Sequence, residues 1–267
     1  MGDYSEYPDV NAEIGLGFVL GVQSENIGTS LKHFVANNQE HMRRTGSSNM
    51  DQRTLREIYM PAFEKIVKQA KPWTVMAAYN KVNGVFMTEN KTLLQDVLKE
   101  EWGFNGVVVS DWGALHTTAL ALDAGLDLEM PGPAKHYGAE LLTAIEQGDV
   151  DANSLNNSVK RLLTLIIKTG VMDTRTSATQ ASVNSEVNSL AHQRLSQQVA
   201  EEAITLLKNE KNLLPLNLKN ITSMAVIGPN ADAAIIQGGG SSQVVPFQQT
   251  TPLEGLQALL GETVKIA

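Results

Sequence analysis

The sequence contains no cysteine, and this absence excludes several kinds of chemistry at once. A chain without thiols has no disulfide, no cysteine nucleophile, no thiolate zinc site and no iron–sulfur cluster. The absence does not identify a compartment, because proteins without disulfides occur in all of them. Redox chemistry through sulfur is therefore excluded, and the cellular location stays open.

Positive charge and long apolar runs are scarce as well. The chain has 21 Lys and Arg against 29 Asp and Glu, a net charge of −8. Nucleic-acid binding needs a basic stripe that displaces counterions, so no nucleic-acid partner is predicted and an uncharged substrate is favoured. No stretch approaches the roughly 18 apolar residues that cross a bilayer, and no signal-peptide pattern is visible, so no membrane partner is predicted. The oligomeric state cannot be read from these features.

What is present is the pattern of a folded α/β protein with ample apolar content for a core. Short β-rich runs alternate with amphipathic stretches, which predicts βα units that feed a parallel sheet. The predicted strands are 29–34, 74–79, 106–110 and 126–130. The predicted helices are 55–69, a second that follows Thr88 as its N-cap and stops near Gly103, and two more near 138–146 and 155–168.

A change in composition divides the chain. Apolar residues become rare between 173 and 188, where Thr, Ser, Ala, Asn and Gln dominate, and this is typical of a linker. We therefore predict a first domain at 1–172, a linker at 173–188 and a second α/β domain at 189–267, which begins with a helix at 189–209 and a strand at 224–228. Four βα units amount to half of an eight-fold barrel.

The polar residues that close each predicted strand are the candidates for function, because parallel sheets bind ligands at the carboxyl ends of their strands. Asp111 follows three valines and Ser110 at the end of a predicted strand, where a carboxylate is costly to bury unless it is hydrogen-bonded or takes part in chemistry. The alternative is an N-cap for a helix that begins near Ala114. The neighbouring Trp112 favours chemistry on a sugar, because an indole stacks on the C–H face of a pyranose.

Cationic side chains follow the first predicted strand. Lys32, His33 and Arg43 supply donors for sugar hydroxyls and would keep a nearby carboxylate ionised. The alternative makes them surface residues or partners of Glu40 and Asp51. Adjacent residues of a regular strand point to opposite faces, so Lys32 and His33 line one pocket only if the backbone near His33 has unusual dihedrals or a cis peptide.

Several longer motifs occur together, and they span nearly the whole chain. They are KHFVANNQE at 32–40, PWTVMAAYNKVNG at 72–84, WGFNG at 102–106, VSDW at 109–112, MPG at 130–132, AITLLKNEKNLLP at 203–215, IGPNA at 227–231 and GGGS at 238–241. With them the chain resembles glycoside hydrolase family 3 enzymes of the β-glucosidase type. The resemblance implies a (β/α)₈ TIM-like barrel followed by an αβα sandwich, with the active site between them and a retaining mechanism. This chain would supply the C-terminal half of the barrel and the start of the sandwich.

The resemblance also assigns residue roles. Asp111 matches the nucleophile that forms a covalent glycosyl-enzyme, and Trp112 matches the aromatic platform at the mouth of the pocket. Ser241 matches a serine that the second domain offers to the pocket, although Ser242 stands where the family commonly has glycine. The walls of the glucose subsite are matched by Lys32, His33, Arg43, Met76 and Tyr79. No cofactor or metal is implied, since the five histidines lack paired ligand spacing.

The retaining mechanism needs a second carboxyl group about 5–5.5 Å from the first. In the family this acid/base is a glutamate well downstream of the serine loop, and Glu254 and Glu262 lie too close to Ser241 to match it. The expectation is therefore an exo-acting β-glucosidase that removes terminal non-reducing β-D-glucosyl residues, with this chain inactive by itself. The alternatives are a β-xylosidase or another exo-glycosidase of the family, and a non-catalytic fragment. A nucleotide-binding module is disfavoured, because the glycine spacing between 227 and 240 fits neither the dinucleotide fingerprint nor the phosphate loop.

Overall fold

The computed structural model of the chain describes residues 4–172, 187–240 and 243–267. The chain divides into two units, Met1–Ser177 and Ala178–Ala267, and each is described by itself. Both units combine helices with parallel strand pairs, so the predicted mixed α/β class is confirmed. None of the described helices is long and apolar enough to cross a membrane.

The first unit begins with a helix and continues through short strands and helices. Its strands are β1 Ser30–Phe34, β2 Ser47–Ser48, β3 Thr74–Ala77, β4 Lys81–Val82, β5 Val85–Phe86 and β6 Val107–Ser110. Its α-helices are α1 Pro8–Ser24, α2 Gln52–Thr54, α3 Pro61–Ala70, α4 Ala119–Asp123, α5 Leu141–Gln147 and α6 Ala152–Lys168. The π-helical segments are Leu55–Tyr59, Thr92–Glu101 and His136–Glu140, and a 3₁₀ turn covers Met87–Glu89.

A parallel sheet in the order β1-β3-β6 forms the centre of this unit. All four residues of β6 are buried, as expected of the continuously apolar Val107–Val109 run. On one face, Val75 and Val108 pack with the buried leucines of Thr92–Glu101. On the other face, Met76, Val107 and Val109 pack against Leu162 and Leu165 of α6. The sheet is thus covered on both faces.

The predicted strand at 126–130 is wrong in extent, because only a single bridge joins Val109 to Leu128. The reason lies in the side chain of Asp127. Its Oδ2 accepts the hydrogen bond of Val108 N at 2.8 Å, so a carboxylate takes the place of the backbone carbonyl that a regular ladder would supply. The backbone N–H groups of both Asp127 and Leu128 then donate to the Val108 carbonyl.

Two helix predictions also need correction. The 55–69 helix is instead divided, and α3 starts at Pro61, which has no N–H and therefore suits a helix start. Thr88 is not an N-cap, because its hydroxyl donates to the carbonyl of Ala114 at 3.2 Å. The first turn of Thr92–Glu101 is served by Asn90, whose Oδ1 accepts from Leu93 N at 3.1 Å. The predicted glycine at the end of this helix is confirmed by the left-handed φ of 71° at Gly103.

The described residues of the second unit form the α-helices α7 Leu190–Ala203 and α8 Pro252–Leu260 and a parallel strand pair, β7 Ser223–Met224 with β8 Lys265–Ile266. It also has 3₁₀ turns at Glu210–Asn212, Leu218–Asn220 and Gly261–Thr263. Helix α7 ends before the predicted 209, and the strand predicted at 224–228 is shorter. Beyond β7 and β8, the backbone hydrogen bonding between the two segments extends to the bond that Val226 N donates to the Ala267 carbonyl.

Candidate active site at the strand ends

The carboxyl ends of β1, β3 and β6 lie side by side and are joined by backbone hydrogen bonds. Ala78 N donates to the Phe34 carbonyl at 2.7 Å, and Asp111 N donates to the Ala77 carbonyl at 3.0 Å. Because the strands are parallel and in register up to Ala77 and Ser110, the residues that follow them meet at one edge. This edge gathers His33, Tyr79, Asp111 and Trp112.

Asp111 is the centre of the cluster. The residue is only 7% exposed, and its Oδ1 accepts a hydrogen bond from Trp112 N at 2.7 Å. Its Oδ2 lies 3.6 Å from Nε2 of His33. The interpretation of Asp111 as a helix N-cap is wrong, because the next helix is α4, whose N-cap is Thr118. Asp111 is therefore a buried carboxylate with one oxygen directed towards a neighbouring imidazole.

The backbone at His33 is irregular, as the strand-face argument predicted. The Lys32–His33 and Phe34–Val35 peptide bonds are cis, and the register between β1 and β3 shifts between Leu31 and Phe34. Burial lowers the pKa of His33, and the negative charge of Asp111 opposes that shift. The positive charge of Lys32 adds to the lowering. His33 is thus mainly a neutral imidazole at neutral pH.

Lys32 does not reach the same place as His33. His33 lines a cavity of about 550 Å³ together with Asn37 and Tyr59. Lys32 is exposed and lines a groove of about 380 Å³ with Val19 and Ile66. The sequence argument required an irregular backbone near His33 because only then could the side chains of Lys32 and His33 line one pocket. The irregularity is present, yet the two side chains differ in their surroundings.

Tyr79 joins the two strand ends through its hydroxyl, which donates to the Trp112 carbonyl at 2.9 Å. Burial raises the pKa of the Tyr79 phenol, and the charge of Asp111 raises it further, so the group remains a donor at neutral pH. Two guanidinium groups cover the ring, with Cζ of Arg43 at 4.7 Å and Cζ of Arg44 at 4.9 Å from its centroid. Two cations therefore contact the ring of Tyr79.

Arg43 pairs with Glu40, as the alternative interpretation predicted, and its role in a sugar subsite stays a prediction. It lies over Tyr79, and its Nη1 also forms an ion pair with Oε2 of Glu40 at 2.7 Å. Arg44 was not predicted, although it adjoins Arg43 in a run of two cations that could have indicated it.

The remaining predicted residues occupy different surroundings. Met76 is buried in the apolar cluster with Val107 and Val109. Trp112 is 47% exposed and presents an open aromatic surface beside Asp111. Ser241 lies outside the described residues, and so do residues 173–186 of the predicted linker.

Two acidic residues near the site were not predicted as parts of a network. Asp127 is fully enclosed and accepts from Nζ of Lys99 at 2.9 Å and from Oγ of Ser158 at 2.8 Å. Glu129 is also buried. The sequence carried a signal, because Asp127 and Glu129 alternate with Leu126 and Leu128 and so lie on one side of an extended segment.

In the described part of the chain, the carboxylates of Glu40 and Glu254 are both engaged by other groups. Glu40 pairs with Arg43, and the carboxylate of Glu254 accepts from Thr251 N at 2.8 Å within a capping box. Across the described ranges, no three His, Asp or Glu side chains gather as a metal site.

Comparisons with known proteins give matches over nearly the whole chain. The family model described as glycosyl hydrolase family 3 N terminal domain matches residues 2–165, and the glycosyl hydrolase family 3 C-terminal domain model matches residues 204–267. A β-glucosidase of Rhizobium radiobacter is 43% identical over 96% of this chain and 31% of its own length. An exo-α-(1→6)-L-arabinopyranosidase of Bifidobacterium breve is 41% identical over 95% of this chain and 33% of its own.

Among solved structures, β-glucosidase 3B from Thermotoga neapolitana in complex with α-D-glucose superposes with a TM-score of 0.88 at 34% identity. The match covers 99% of this chain and 36% of that protein. The chain therefore spans about a third of the length of the curated relatives it matches.

Proposed function

The chain belongs to glycosyl hydrolase family 3, and on that premise we propose that it carries the nucleophile side of a retaining, exo-acting β-glucosidase. The substrate class is a β-glucoside with a terminal non-reducing β-D-glucosyl residue. We propose further that the first unit is the C-terminal half of a (β/α)₈ barrel and the second the start of an αβα sandwich. The single observation that carries the proposal is the buried Asp111 carboxylate at the open edge of a parallel sheet, 3.6 Å from His33.

In the proposed reaction, a carboxylate oxygen of Asp111 attacks the anomeric carbon while the bond from that carbon to the aglycone oxygen breaks. The aglycone departs with the electron pair, and a glycosyl-aspartate ester forms. In the second step a water molecule attacks the same carbon and gives up a proton to a general base, and Asp111 leaves as a carboxylate. Two successive inversions give net retention.

The neighbours of Asp111 fit this role. The neutral imidazole of His33 can donate to a sugar hydroxyl, and the hydroxyl of Tyr79 holds the backbone of Trp112 in place. Arg43 and Arg44 hold the ring of Tyr79 through cation–π contacts. The indole of Trp112 offers a stacking surface for the pyranose. Lys32, Met76 and Ser241 complete the proposed glucose subsite on the family resemblance alone.

We propose that this chain by itself lacks the acid/base. The carboxylate of Glu40 is engaged by a cation and that of Glu254 by backbone N–H groups, which supports this proposal. Chemistry should then depend on a leaving group that needs no proton.

An experiment with an activated leaving group tests whether the chain has the nucleophile and lacks the acid/base. With 2,4-dinitrophenyl β-D-glucoside, the chain should release about one dinitrophenolate per molecule and then stall as the glycosyl-aspartate. Azide needs no general base, so it should restore turnover and yield β-glucosyl azide. The burst is measured by absorbance and the anomer by NMR.

Asp111→Ala provides the specific variant, with Glu101→Gln as the control for a carboxylate that pairs with Arg56 away from the site. The burst should vanish in Asp111→Ala and persist in Glu101→Gln. An α-glucosyl azide product, or an equal burst in Asp111→Ala, would contradict the proposal. No burst in the unmodified chain would favour the non-catalytic alternative.

A second substrate class has a specific observation in its favour. The arabinopyranosidase relative is nearly as similar to this chain as the β-glucosidase relative, at 41% against 43% identity. L-Arabinopyranose and D-xylopyranose both lack the hydroxymethyl group of glucose. Bursts with dinitrophenyl β-glucoside, β-xyloside and α-L-arabinopyranoside should rank glucoside first, and a larger rate with either pentoside would assign the alternative.

A further inference from the structure

The backbone on both sides of Asp111 is hydrogen-bonded to one short segment. Before Asp111, Ser110 N donates to the Leu128 carbonyl at 2.9 Å, and Met130 N donates to Oγ of Ser110 at 2.8 Å. After Asp111, Gly113 N donates to the Met130 carbonyl at 2.9 Å. The position of Asp111 therefore depends on where Leu128 and Met130 are held.

The residue between them, Glu129, fixes that segment. It is 8% exposed, and its carboxylate accepts hydrogen bonds from three consecutive backbone N–H groups. Oε1 accepts from Lys135 N at 3.2 Å, and Oε2 accepts from His136 N at 2.8 Å and from Tyr137 N at 2.7 Å. Hydrogen bonds to a charged acceptor are among the stronger ones in proteins.

Tyr137 ties the folded-back segment to the core a second time. Its hydroxyl donates to the Leu126 carbonyl at 3.1 Å. Burial raises the pKa of the Tyr137 phenol far above its ordinary value, so this donor is present at every physiological pH. The chain from Leu126 to Tyr137 thus closes on itself around the Glu129 carboxylate.

We propose that Glu129 is a positioning residue for Asp111, a role that rests on the proposed function of Asp111 as nucleophile. Both oxygens of Glu129 are occupied by backbone donors, so it acts through Met130 and β6 rather than on the substrate. Nucleophilic attack depends on the approach of the reacting atoms, and a misplacement of about 1 Å can cost on the order of 100-fold in rate.

The three backbone N–H donors explain why the side chain at position 129 is a carboxylate. Three N–H groups need two acceptor oxygens, and only a carboxylate offers both on one side chain. Glu129→Gln retains one oxygen for the two shorter bonds and turns an NH₂ group towards the third donor. Glu129→Met keeps the length of the side chain and removes every acceptor. Glu129→Gln therefore removes part of the hydrogen bonding to these backbone N–H groups, and Glu129→Met removes more of it.

Trapping kinetics test the proposal. The unmodified chain, Glu129→Gln, Glu129→Met and the control Glu101→Gln are treated with 2,4-dinitrophenyl 2-deoxy-2-fluoro-β-D-glucoside, and the covalent adduct is followed by intact mass. Glu129→Gln should lower the saturating rate roughly five- to tenfold with little change in the half-saturating concentration. Glu129→Met should lower it further, and Glu101→Gln should match the unmodified chain.

Hydrogen exchange of the Gly113 and Met130 amides gives a readout that needs no reaction. Both should exchange faster in Glu129→Gln than in the unmodified chain, and this variant carries the test if Glu129→Met does not fold. Unchanged exchange, or trapping at the unmodified rate, overturns the positioning role. If the unmodified chain is not trapped at all, the proposed role of Asp111 as nucleophile is contradicted. The exchange of the Gly113 amide alone then decides whether Glu129 positions the backbone around Asp111.

Discussion

At the scale of single residues, the state of His33 follows from its surroundings. Burial disfavours the imidazolium and lowers the pKa of His33, whereas the carboxylate of Asp111 favours the imidazolium. The larger effect is burial, so the folded protein binds a proton at His33 less readily than the unfolded chain. The stability that His33 contributes is therefore complete above its ordinary pKa of 6.5 and is lost as the pH falls towards the folded-state value.

Removal of the Asp111 charge should therefore lower the pKa of His33 still further. Asp111→Asn keeps the shape of the side chain and removes the anion that lies 3.6 Å from Nε2. An NMR titration of the imidazole signals, with His33 identified by its loss in His33→Gln, measures the effect. A pKa that rises or does not move in Asp111→Asn would show that the two groups are not coupled.

Residue patterns predicted part of this site. Asp111 and Trp112 are consecutive at a strand end, so any parallel sheet that contains this strand places them at its carboxyl edge. Lys32 could not be placed in the same way, because adjacent strand residues have different surroundings even where the backbone is irregular. Glu129 was missed because its partners are backbone N–H groups six to eight residues further on, and no side-chain pattern marks them.

At the scale of elements, a buried ion pair joins the Thr92–Glu101 helix to β6 and α6. Lys99 and Asp127 are almost fully enclosed, and Asp127 also receives hydrogen bonds from Val108 N and from Ser158. Burial lowers the pKa of Lys99, and the charge of Asp127 opposes the shift. Removing one partner would leave the other charge buried without compensation.

Lys99→Met should therefore lower the free energy of unfolding by about 3–5 kcal/mol. The matched comparison is Arg56→Gln, which breaks the half-exposed pair between Arg56 and Glu101 and should cost roughly 0–1 kcal/mol. Urea denaturation followed by tryptophan fluorescence measures both. Equal losses in the two variants would contradict the assignment of Asp127 as an internal anchor.

Apolar periodicity predicted the elements that are buried on both faces and missed those shaped by side-chain hydrogen bonds. The β6 strand was found because Val107–Val109 is continuously apolar, and the β3 strand because it lies in a β-rich run. The 126–130 strand was overestimated because Asp127 replaces a backbone acceptor with its own carboxylate. The N-cap of the Thr92–Glu101 helix was predicted at Thr88, but the hydroxyl of Thr88 donates to the Ala114 carbonyl. Asn90 accepts from Leu93 N in the first turn instead.

At the scale of the whole molecule, the chain matches both family 3 domain models and spans about a third of the length of its curated relatives. Its net charge is −8, and Arg43 and Arg44 both lie over the ring of Tyr79. The proposed chemistry therefore rests on one carboxylate of this chain, with protonation of the leaving group supplied from elsewhere or made unnecessary.

The most direct test of that claim is the location of the covalent sugar. After reaction with the fluorinated dinitrophenyl glucoside, the chain is digested and its peptides are sequenced by tandem mass spectrometry. The account predicts a single fluoroglucosyl ester on Asp111, absent in Asp111→Ala. A label on another carboxylate, or an equal label in Asp111→Ala, would contradict it.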